Sequence, residues 1–283
     1  MAEIRNVTVL GTGVLGSQIA YQVSFHGFAV TSYDIDDAAL AAARDRFEKL
    51  AATYRAEVAG AGDGKAERAA SRITLSSDLA AAVRDADLVI EAVPEDLALK
   101  EKIFGQIGEQ APAHTIFASN SSTLLPSAMK ASTGRPDRFL ALHFANQVWK
   151  YNTAEIMGTD DTDPAVFRAV VEFAETIGMV PVELHKEKAG YVLNSLLVPL
   201  LNSAIALGAG GYADPETVDK TWRIGTGAPF GPFQMLDVIG LNTPFNILVH
   251  GDDDAKRLAA WLKAGYIDKG KLGVASGEGF YKY

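Results

Sequence analysis

The sequence predicts a doubly wound α/β domain with a mainly parallel sheet, followed by an all-helical C-terminal domain. Short β-forming runs alternate with helical stretches from Asn6 to about Glu183, as in a parallel sheet covered on both faces. A glycine-rich segment, VTVLGTGVLG, joins the first β-forming run to the first helical stretch. After the charged residues at 185–188 the β-forming runs stop and helical periodicity continues to residue 264. We therefore expect a first domain over residues 1–187 and a second over residues 188–283.

The β-forming runs predict seven strands in the first domain: Val7–Leu10, Ala29–Tyr33, Ile73–Leu75, Leu88–Glu91, Thr115–Ala118, Phe139–Leu142 and Val180–Glu183. Helical periodicity between them predicts, among others, the helices Val14–Phe25, Ala38–Val58, Leu97–Gln110 and Pro164–Ile177. Asp163 before Pro164 has the pattern of an N-cap followed by proline. In the second domain, helices of modest length are separated by Pro215, Pro229, Pro232 and Pro244.

The composition excludes several classes of protein. The 283 residues suit two domains of a typical ~150 residues each. A net charge of −9 opposes binding to nucleic-acid phosphates, and the absence of cysteine excludes disulfides and cysteine-ligated metal. The most apolar run, Tyr191–Leu207, is interrupted by polar residues and predicts a buried helix rather than a membrane span. We expect a cytoplasmic protein without a secretion signal that binds neither nucleic acid, membrane nor metal.

The glycine-rich segment has the spacing of a dinucleotide-binding loop. Gly11, Gly13 and Gly16 form G-x-G-x-x-G directly after the first strand, where they permit a tight turn, close approach of a pyrophosphate and packing of the helix on the strand. Asp34 ends the second strand, where a carboxylate can bind the ribose hydroxyls and repel a 2′-phosphate. This predicts a Rossmann-type domain that binds NAD(H) in preference to NADPH. The alternative is a structural turn with Asp34 as a helix cap. The cofactor-binding residues predicted from this segment are Gly11, Gly13, Val14, Leu15, Gly16 and Asp34.

One histidine is the candidate proton-transfer group, because hydride transfer to a carbonyl needs a side chain that exchanges a proton near neutral pH. His143 follows the strand FLAL at the edge where open α/β sheets bind ligands. The remaining histidines lie in predicted helix ends, turns or charged segments: His26, His114, His185 and His250. A buried structural histidine is the alternative for position 143.

Glu155 and Ser122 are candidate partners of His143. Glu155 lies in NTAEIM, a short β-like run that can return beside the strand bearing His143 and place a carboxylate against the imidazole. Its alternative is an exposed strand glutamate. Ser122, in NSSTL after the strand IFAS, belongs to the same sheet edge, although a serine turn is equally compatible with the local sequence.

The motifs NSSTL, HFANQ and GYVLN, together with the tail GEGFYKY, resemble the 3-hydroxyacyl-CoA dehydrogenase family over the whole chain. The resemblance implies that His143 is the acid/base and Glu155 its orienting partner. It also implies that Ser122 and Asn194 polarise the substrate oxygen. Further residues match family positions near the cofactor: Glu95, Lys100, Ser122 and Asn146. From local sequence alone, these could equally be a strand-end carboxylate, a helix-surface lysine, a turn serine and a turn amide.

Two departures from the family motifs concern the substrate. The region YRAEVAGAGDGKAERAASR mixes acids with bases where CoA-binding members carry basic residues, and Gln147 replaces the usual proline of H-F-x-N-P. Ala275 replaces the lysine often found before the glycine-rich tail. We expect an NADH-dependent reductase of 3-oxo or 3,5-dioxo acyl esters, and a homodimer formed through the helical substrate domain. The alternatives are a 3-hydroxybutyryl-CoA dehydrogenase and a non-catalytic, crystallin-like or NAD-sensing protein.

Overall fold

The computed structural model describes residues 4–283 and divides into two compact units. The first unit ends at Val192, and the second comprises Leu193–Tyr283. The expected boundary between residues 187 and 188 lies shortly before this division.

The first unit is built on one sheet whose strands are β1 (Asn6–Leu10), β2 (Ala29–Tyr33), β3 (Ile73–Ser76), β4 (Leu88–Glu91), β5 (Ile116–Ser119), β6 (Phe139–Phe144), β7 (Thr153–Gly158) and β8 (Val180–Leu184). Across the sheet their order is β3-β2-β1-β4-β5-β6-β7-β8. Neighbouring strands are parallel except β6 and β7, which are antiparallel. The predicted doubly wound, mainly parallel sheet is confirmed. The chain reverses its strand order at β1 and β4, where such sheets form a ligand crevice at the carboxyl ends of their strands.

The helices of this unit are α1 (Val14–Phe25), α2 (Asp37–Glu57), α3 (Lys65–Ser71), α4 (Leu79–Val83), α5 (Leu97–Gln110) and α6 (Pro164–Thr176). The predicted bounds of α1 and α5 are confirmed, and those of α2 and α6 differ from the structure by at most one residue at either end. Asp163 caps α6 as predicted, and Asp36 and Asp96 cap α2 and α5 in the same way, each accepting a hydrogen bond from a first-turn N–H. Alternate residues of β4 enter different apolar clusters: Leu88 and Ile90 join one, and Val89 joins the other. The sheet is therefore buried on both faces.

Strand β6 is longer than the sequence predicts. The expected strand ended at Leu142, whereas the observed one continues to Phe144. The extension results from the antiparallel ladder with β7, in which His143 lies opposite Glu155 and Phe144 lies opposite Ala154. The β-like run NTAEIM thus forms a strand, as predicted, and His143 lies within β6 rather than just after it.

The second unit is helical, with α7 (Leu193–Ala209), α8 (Pro215–Thr226), α9 (Pro232–Ile239), α10 (Asn242–Leu248) and α11 (Asp253–Gly265). Asp219 and Asp237 are buried and bind the C-terminal tail: Asp219 accepts from the Tyr281 hydroxyl, and Asp237 accepts from the Tyr283 hydroxyl and the Phe280 N–H. The tail GEGFYKY is therefore fixed to this unit. No helix within residues 4–283 has both the length and the apolarity needed to cross a membrane.

Candidate active site

The glycine-rich loop after β1 is tightly packed at two of its three motif glycines and has free space beside the remaining one. A Cβ on Gly11, whose φ is 93°, would lie 2.6 Å from the Ala92 carbonyl oxygen, and one on Gly16 would lie 2.0 Å from that of Gly11. A Cβ on Gly13, in contrast, would have no heavy atom within 4 Å among the described residues outside its own chain neighbours. The first and third glycines thus close the turn, while the second leaves space directly above the backbone.

Helix α1 begins at this loop and points its N-terminus at the open space. The N-cap residue is Gly13, which has no side chain that could accept a hydrogen bond. The N–H groups of Val14 and Leu15 in the first turn therefore have no acceptor from an N-cap side chain. The positive end of the helix dipole favours an anion here. Glycine backbone, helix N-terminus and open space together fit the pyrophosphate of a dinucleotide.

Asp34 is fixed at the end of β2 by the same loop. Its Oδ2 accepts hydrogen bonds from the Thr12 N–H at 2.8 Å and the Thr12 hydroxyl at 2.6 Å, and its Oδ1 accepts from the Ile35 N–H at 2.8 Å. The carboxylate is only partly buried, so it can also accept from ribose hydroxyls. A 2′-phosphate would meet this negative charge.

His143 and Glu155 form the central pair of the site. The imidazole Nδ1 lies 3.0 Å from Glu155 Oε2, across the ladder between β6 and β7, and both residues are buried. The other carboxylate oxygen, Oε1, accepts a hydrogen bond from the Val192 N–H at 2.9 Å. This arrangement favours the tautomer protonated at Nδ1, which leaves Nε2 to exchange a proton. Nε2 lies 3.1 Å from the Ser122 hydroxyl, so the structure brings together the three residues singled out in the first domain.

Glu95 holds the loop that carries Ser122. Its Oε1 accepts hydrogen bonds from the Ser121 hydroxyl at 2.5 Å, the Thr123 hydroxyl at 2.7 Å and the Thr123 N–H at 3.0 Å. Partial burial acts to raise the pKa of Glu95, but these hydrogen bonds, helped by the charge of Lys100, outweigh it and lower the pKa below its usual value. Glu95 therefore remains an anion that ties down this loop.

Lys100 is buried rather than on the helix surface. Its Nζ lies 2.5 Å from Glu91 Oε1, 3.1 Å from the Val93 carbonyl oxygen and 3.4 Å from Glu95 Oε2, and 1% of the residue is exposed. Burial raises the pKa of Glu91, while Lys100 and the Ser119 hydroxyl oppose that rise. Sequence reasoning missed Glu91, which appears in the sequence only as the last residue of a buried strand.

Asn146 and Gln147 lie in the loop after β6, where Gln18 of α1 holds both. The Gln18 amide donates to Asn146 Oδ1 at 2.8 Å, and its Oε1 accepts from the Gln147 N–H at 2.7 Å. Gln147 has a φ of 60°, a conformation that proline cannot adopt. The loop therefore has a backbone that the H-F-x-N-P motif would not permit.

Asn194 is the second residue of α7 and belongs to the second unit. The first unit contains every other site residue predicted from the sequence. The other histidines lie outside the constellation: His26 is the C-cap of α1, and His114 lies 2.9 Å from Asp87 on the surface. His185 and His250 are exposed.

The doubly wound fold, the dinucleotide loop and the imidazole–carboxylate pair define an NAD-dependent oxidoreductase. Residues 6–188 match the NAD-binding domain of 3-hydroxyacyl-CoA dehydrogenase, and residues 190–283 match its C-terminal domain. The chain belongs to the 3-hydroxyacyl-CoA dehydrogenase family, whose members act on CH–OH groups with NAD as cofactor. The resemblance stated from the motifs is thereby confirmed.

Individual relatives span the full length of the chain. The human mitochondrial hydroxyacyl-coenzyme A dehydrogenase is 36% identical over 99% of this chain and 91% of its own length. A probable 3-hydroxybutyryl-CoA dehydrogenase of Bacillus subtilis is 35% identical over 99% of this chain and 98% of its own. A solved structure of a diketoreductase is 66% identical, covers all of both chains and superposes with a TM-score of 0.98. Stretches such as FLALHFAN and DPETVDKTWRIGTGAP predict this last similarity, which the structure comparison confirms.

Proposed function

We propose that this protein reduces a 3-oxo or 3,5-dioxo acyl ester to the 3-hydroxy compound with NADH. The observation that carries the proposal is the buried His143, with Nδ1 on the Glu155 carboxylate and Nε2 beside the Ser122 hydroxyl. The diketoreductase that shares 66% identity acts on dicarbonyl compounds, which supports a dicarbonyl or oxo-ester substrate.

The residues of the site can supply the proton and stabilise the charge that a carbonyl reduction requires. NADH, when bound, supplies the hydride. Protonated His143 donates from Nε2 to the substrate oxygen, and Glu155 stabilises the imidazolium until that transfer. The Ser122 hydroxyl, within hydrogen-bond distance of the same nitrogen, donates to the oxygen as negative charge develops on it. By resemblance to the family, Asn194 is a second donor to that oxygen.

The cofactor-binding role is proposed for two groups of residues. The first is the loop and strand end that fit a pyrophosphate and a ribose: Gly11, Gly13, Val14, Leu15, Gly16 and Asp34. The second is assigned by family resemblance: Glu95, Lys100, Ser122 and Asn146. Because the Lys100 ammonium faces the Glu91 and Glu95 carboxylates and the Val93 carbonyl oxygen, we propose that it supports the cofactor site by holding these three groups.

An ester substrate is favoured over a CoA thioester by the segment between β2 and β3. Three basic side chains of this segment contact protein groups: Arg55 pairs with Glu67, Arg68 donates to the Asp63 carbonyl oxygen at 2.7 Å, and Lys65 lies 4.0 Å from the centre of the Phe25 ring. These cations are therefore less available to the phosphates of CoA.

The direct test is NADH consumption with a 3-oxo ester and with acetoacetyl-CoA. We expect the ester to be reduced, and both His143→Ala and Glu155→Ala to lower the rate by about a hundredfold or more. If the wild type reduces neither compound, or if both variants retain full activity, the proposal fails. Tight NADH binding without turnover of either compound would instead favour an NAD-sensing or crystallin-like protein.

A second candidate is a 3-hydroxybutyryl-CoA dehydrogenase. It is favoured by relatives of that name, including the one from Bacillus subtilis. A strong preference in kcat/KM for acetoacetyl-CoA over the plain ester would establish it.

A homodimer formed through the helical unit is also proposed, in a cytoplasmic setting that suits a chain without cysteine. Helix α7 buries only part of its apolar sequence, and Leu196 exposes 70% of its surface. Such apolar exposure is typical of an association surface. A monomeric mass in analytical ultracentrifugation at micromolar concentration would contradict the dimer.

A further inference from the structure

Tyr191 contacts the proposed catalytic pair with its ring. The ring stacks on the His143 imidazole, with centroids 4.5 Å apart and planes inclined by 11°. Glu155 and Ser122 lie at the two ring nitrogens of His143, so they fix the ends of the imidazole within its plane. A stacked ring instead restricts rotation out of that plane, which neither hydrogen bond controls well. The Tyr191 ring thus supplies a constraint that the predicted residues leave open.

The hydroxyl of Tyr191 holds the loop that carries Ser122. It donates to the Ser121 carbonyl oxygen at 2.8 Å, while Glu95 accepts from the Ser121 and Thr123 side chains of the same loop. Burial, with a smaller contribution from nearby carboxylates, raises the pKa of Tyr191 far above its usual value. The phenol therefore stays protonated and remains a hydrogen-bond donor to this loop.

The backbone at Tyr191 serves the same cluster. Its φ of 52° lies in the left-handed region, which residues other than glycine seldom adopt. The next residue, Val192, donates its N–H to Glu155 Oε1 at 2.9 Å. An uncommon conformation of this kind persists where the surroundings fix it strongly. The Tyr191 ring thus contacts His143, its hydroxyl contacts Ser121 next to Ser122, and the N–H of the following residue contacts Glu155.

We propose that Tyr191 is a positioning residue that sets the plane of the His143 imidazole and the position of the Ser122 hydroxyl at the same time. The proposal rests on the proposed function of His143 and Ser122. The ring and the hydroxyl have separate contacts, because a phenylalanine at position 191 would keep the ring that stacks on His143 and lose the hydrogen bond to the Ser121 carbonyl oxygen.

The kinetic test removes the hydroxyl and keeps the ring. We expect Tyr191→Phe to lower kcat for a 3-oxo ester about tenfold, because a small displacement of a catalytic group is enough for this, while KM for NADH changes less than about twofold. The matched control is Tyr21→Phe, since the buried Tyr21 hydroxyl also donates to a backbone carbonyl, that of Ala66, at 2.6 Å. This control should leave kcat and KM unchanged.

A double-mutant cycle separates positioning from general destabilisation. In a Ser122→Ala background, Tyr191→Phe should change kcat by less than about twofold, because the hydroxyl acts through Ser122. An equal tenfold loss in both backgrounds, or no loss in either, would overturn the role of the hydroxyl.

A second readout does not depend on turnover. The ring-nitrogen NMR signals of His143, identified by their loss in His143→Gln, should show a single tautomer in the wild type. They should show a mixture or exchange broadening in Tyr191→Leu, or in Tyr191→Met if the leucine variant does not fold. Unchanged signals would overturn the role of the ring. If the wild type reduced no 3-oxo compound, the proposed function would fail, but these signals would still show whether Tyr191 holds the imidazole.

Discussion

Replacing Glu155 by glutamine tests the proposed catalytic pair of His143 and Glu155 with almost no change of shape. In the wild type, Oε2 accepts from His143 Nδ1 at 3.0 Å and Oε1 accepts from the Val192 N–H at 2.9 Å. Glutamine has only one acceptor oxygen for these two donors. If that oxygen faces Val192, the amide NH₂ faces Nδ1 and selects the tautomer protonated at Nε2. If the oxygen faces His143, the amide NH₂ faces the Val192 N–H, and two donors then oppose each other.

We expect Glu155→Gln to lower kcat about a thousandfold, which corresponds to about 4 kcal/mol of lost transition-state stabilisation. The assay follows the loss of NADH absorbance with a 3-oxo ester at saturating NADH, and NADH affinity is measured separately by fluorescence. The control is Asp163→Asn, because asparagine caps a helix N-terminus as well as aspartate does. A Glu155→Gln enzyme within about twofold of the wild-type kcat would refute the orienting role of this carboxylate.

Three further predictions concern stability and cofactor choice. Lys100→Met leaves the buried Glu91 carboxylate without a positive charge beside it and should reduce the free energy of unfolding by about 3–5 kcal/mol in chemical denaturation. The control Lys102→Met, on the exposed face of α5, should change the free energy of unfolding by less than about 0.5 kcal/mol. Burial acts to raise the pKa of Asp87, but hydrogen bonds from two backbone N–H groups and a histidine lower it. Ionised Asp87 therefore stabilises the folded protein fully above the pKa that this carboxyl has in the unfolded chain, near 4. The difference in unfolding free energy between wild type and Asp87→Asn should shrink as the pH falls below about 4. A constant difference would contradict this. Asp34→Ser should raise the ratio of kcat/KM for NADPH to that for NADH about tenfold or more, and an unchanged ratio would remove Asp34 as the discriminating group.

The fold could be predicted because its periodicities are local. Buried parallel strands and amphipathic helices each carry their own pattern, so α1 and α5 begin and end where the sequence predicts. The end of β6 depends on a ladder with β7, and no pattern within β6 itself contains that information. The sequence-based strand therefore ended before His143.

The positions of the candidate site residues could be predicted where strand ends meet at one edge of the sheet, but not where the packing of helices on strands determines them. His143 and Glu155 follow from the ligand edge of the sheet and from a β-like run able to return beside it. The pairing of Lys100 with Glu91 depends on how α5 is rotated against β4, which helix periodicity alone does not determine. The contacts of Tyr191 depend on its left-handed backbone conformation, which the sequence does not indicate because tyrosine rarely adopts it.

The most direct measurement is a crystal structure of the enzyme with NADH and an unreactive analogue of a 3-oxo ester. We expect His143 Nε2 within about 2.6–3.2 Å of the analogue's 3-oxygen, with the Ser122 hydroxyl on the same atom and the adjoining carbon facing the nicotinamide. A complex in which another side chain binds that oxygen, with the His143 imidazole separated from it by protein, would contradict the account.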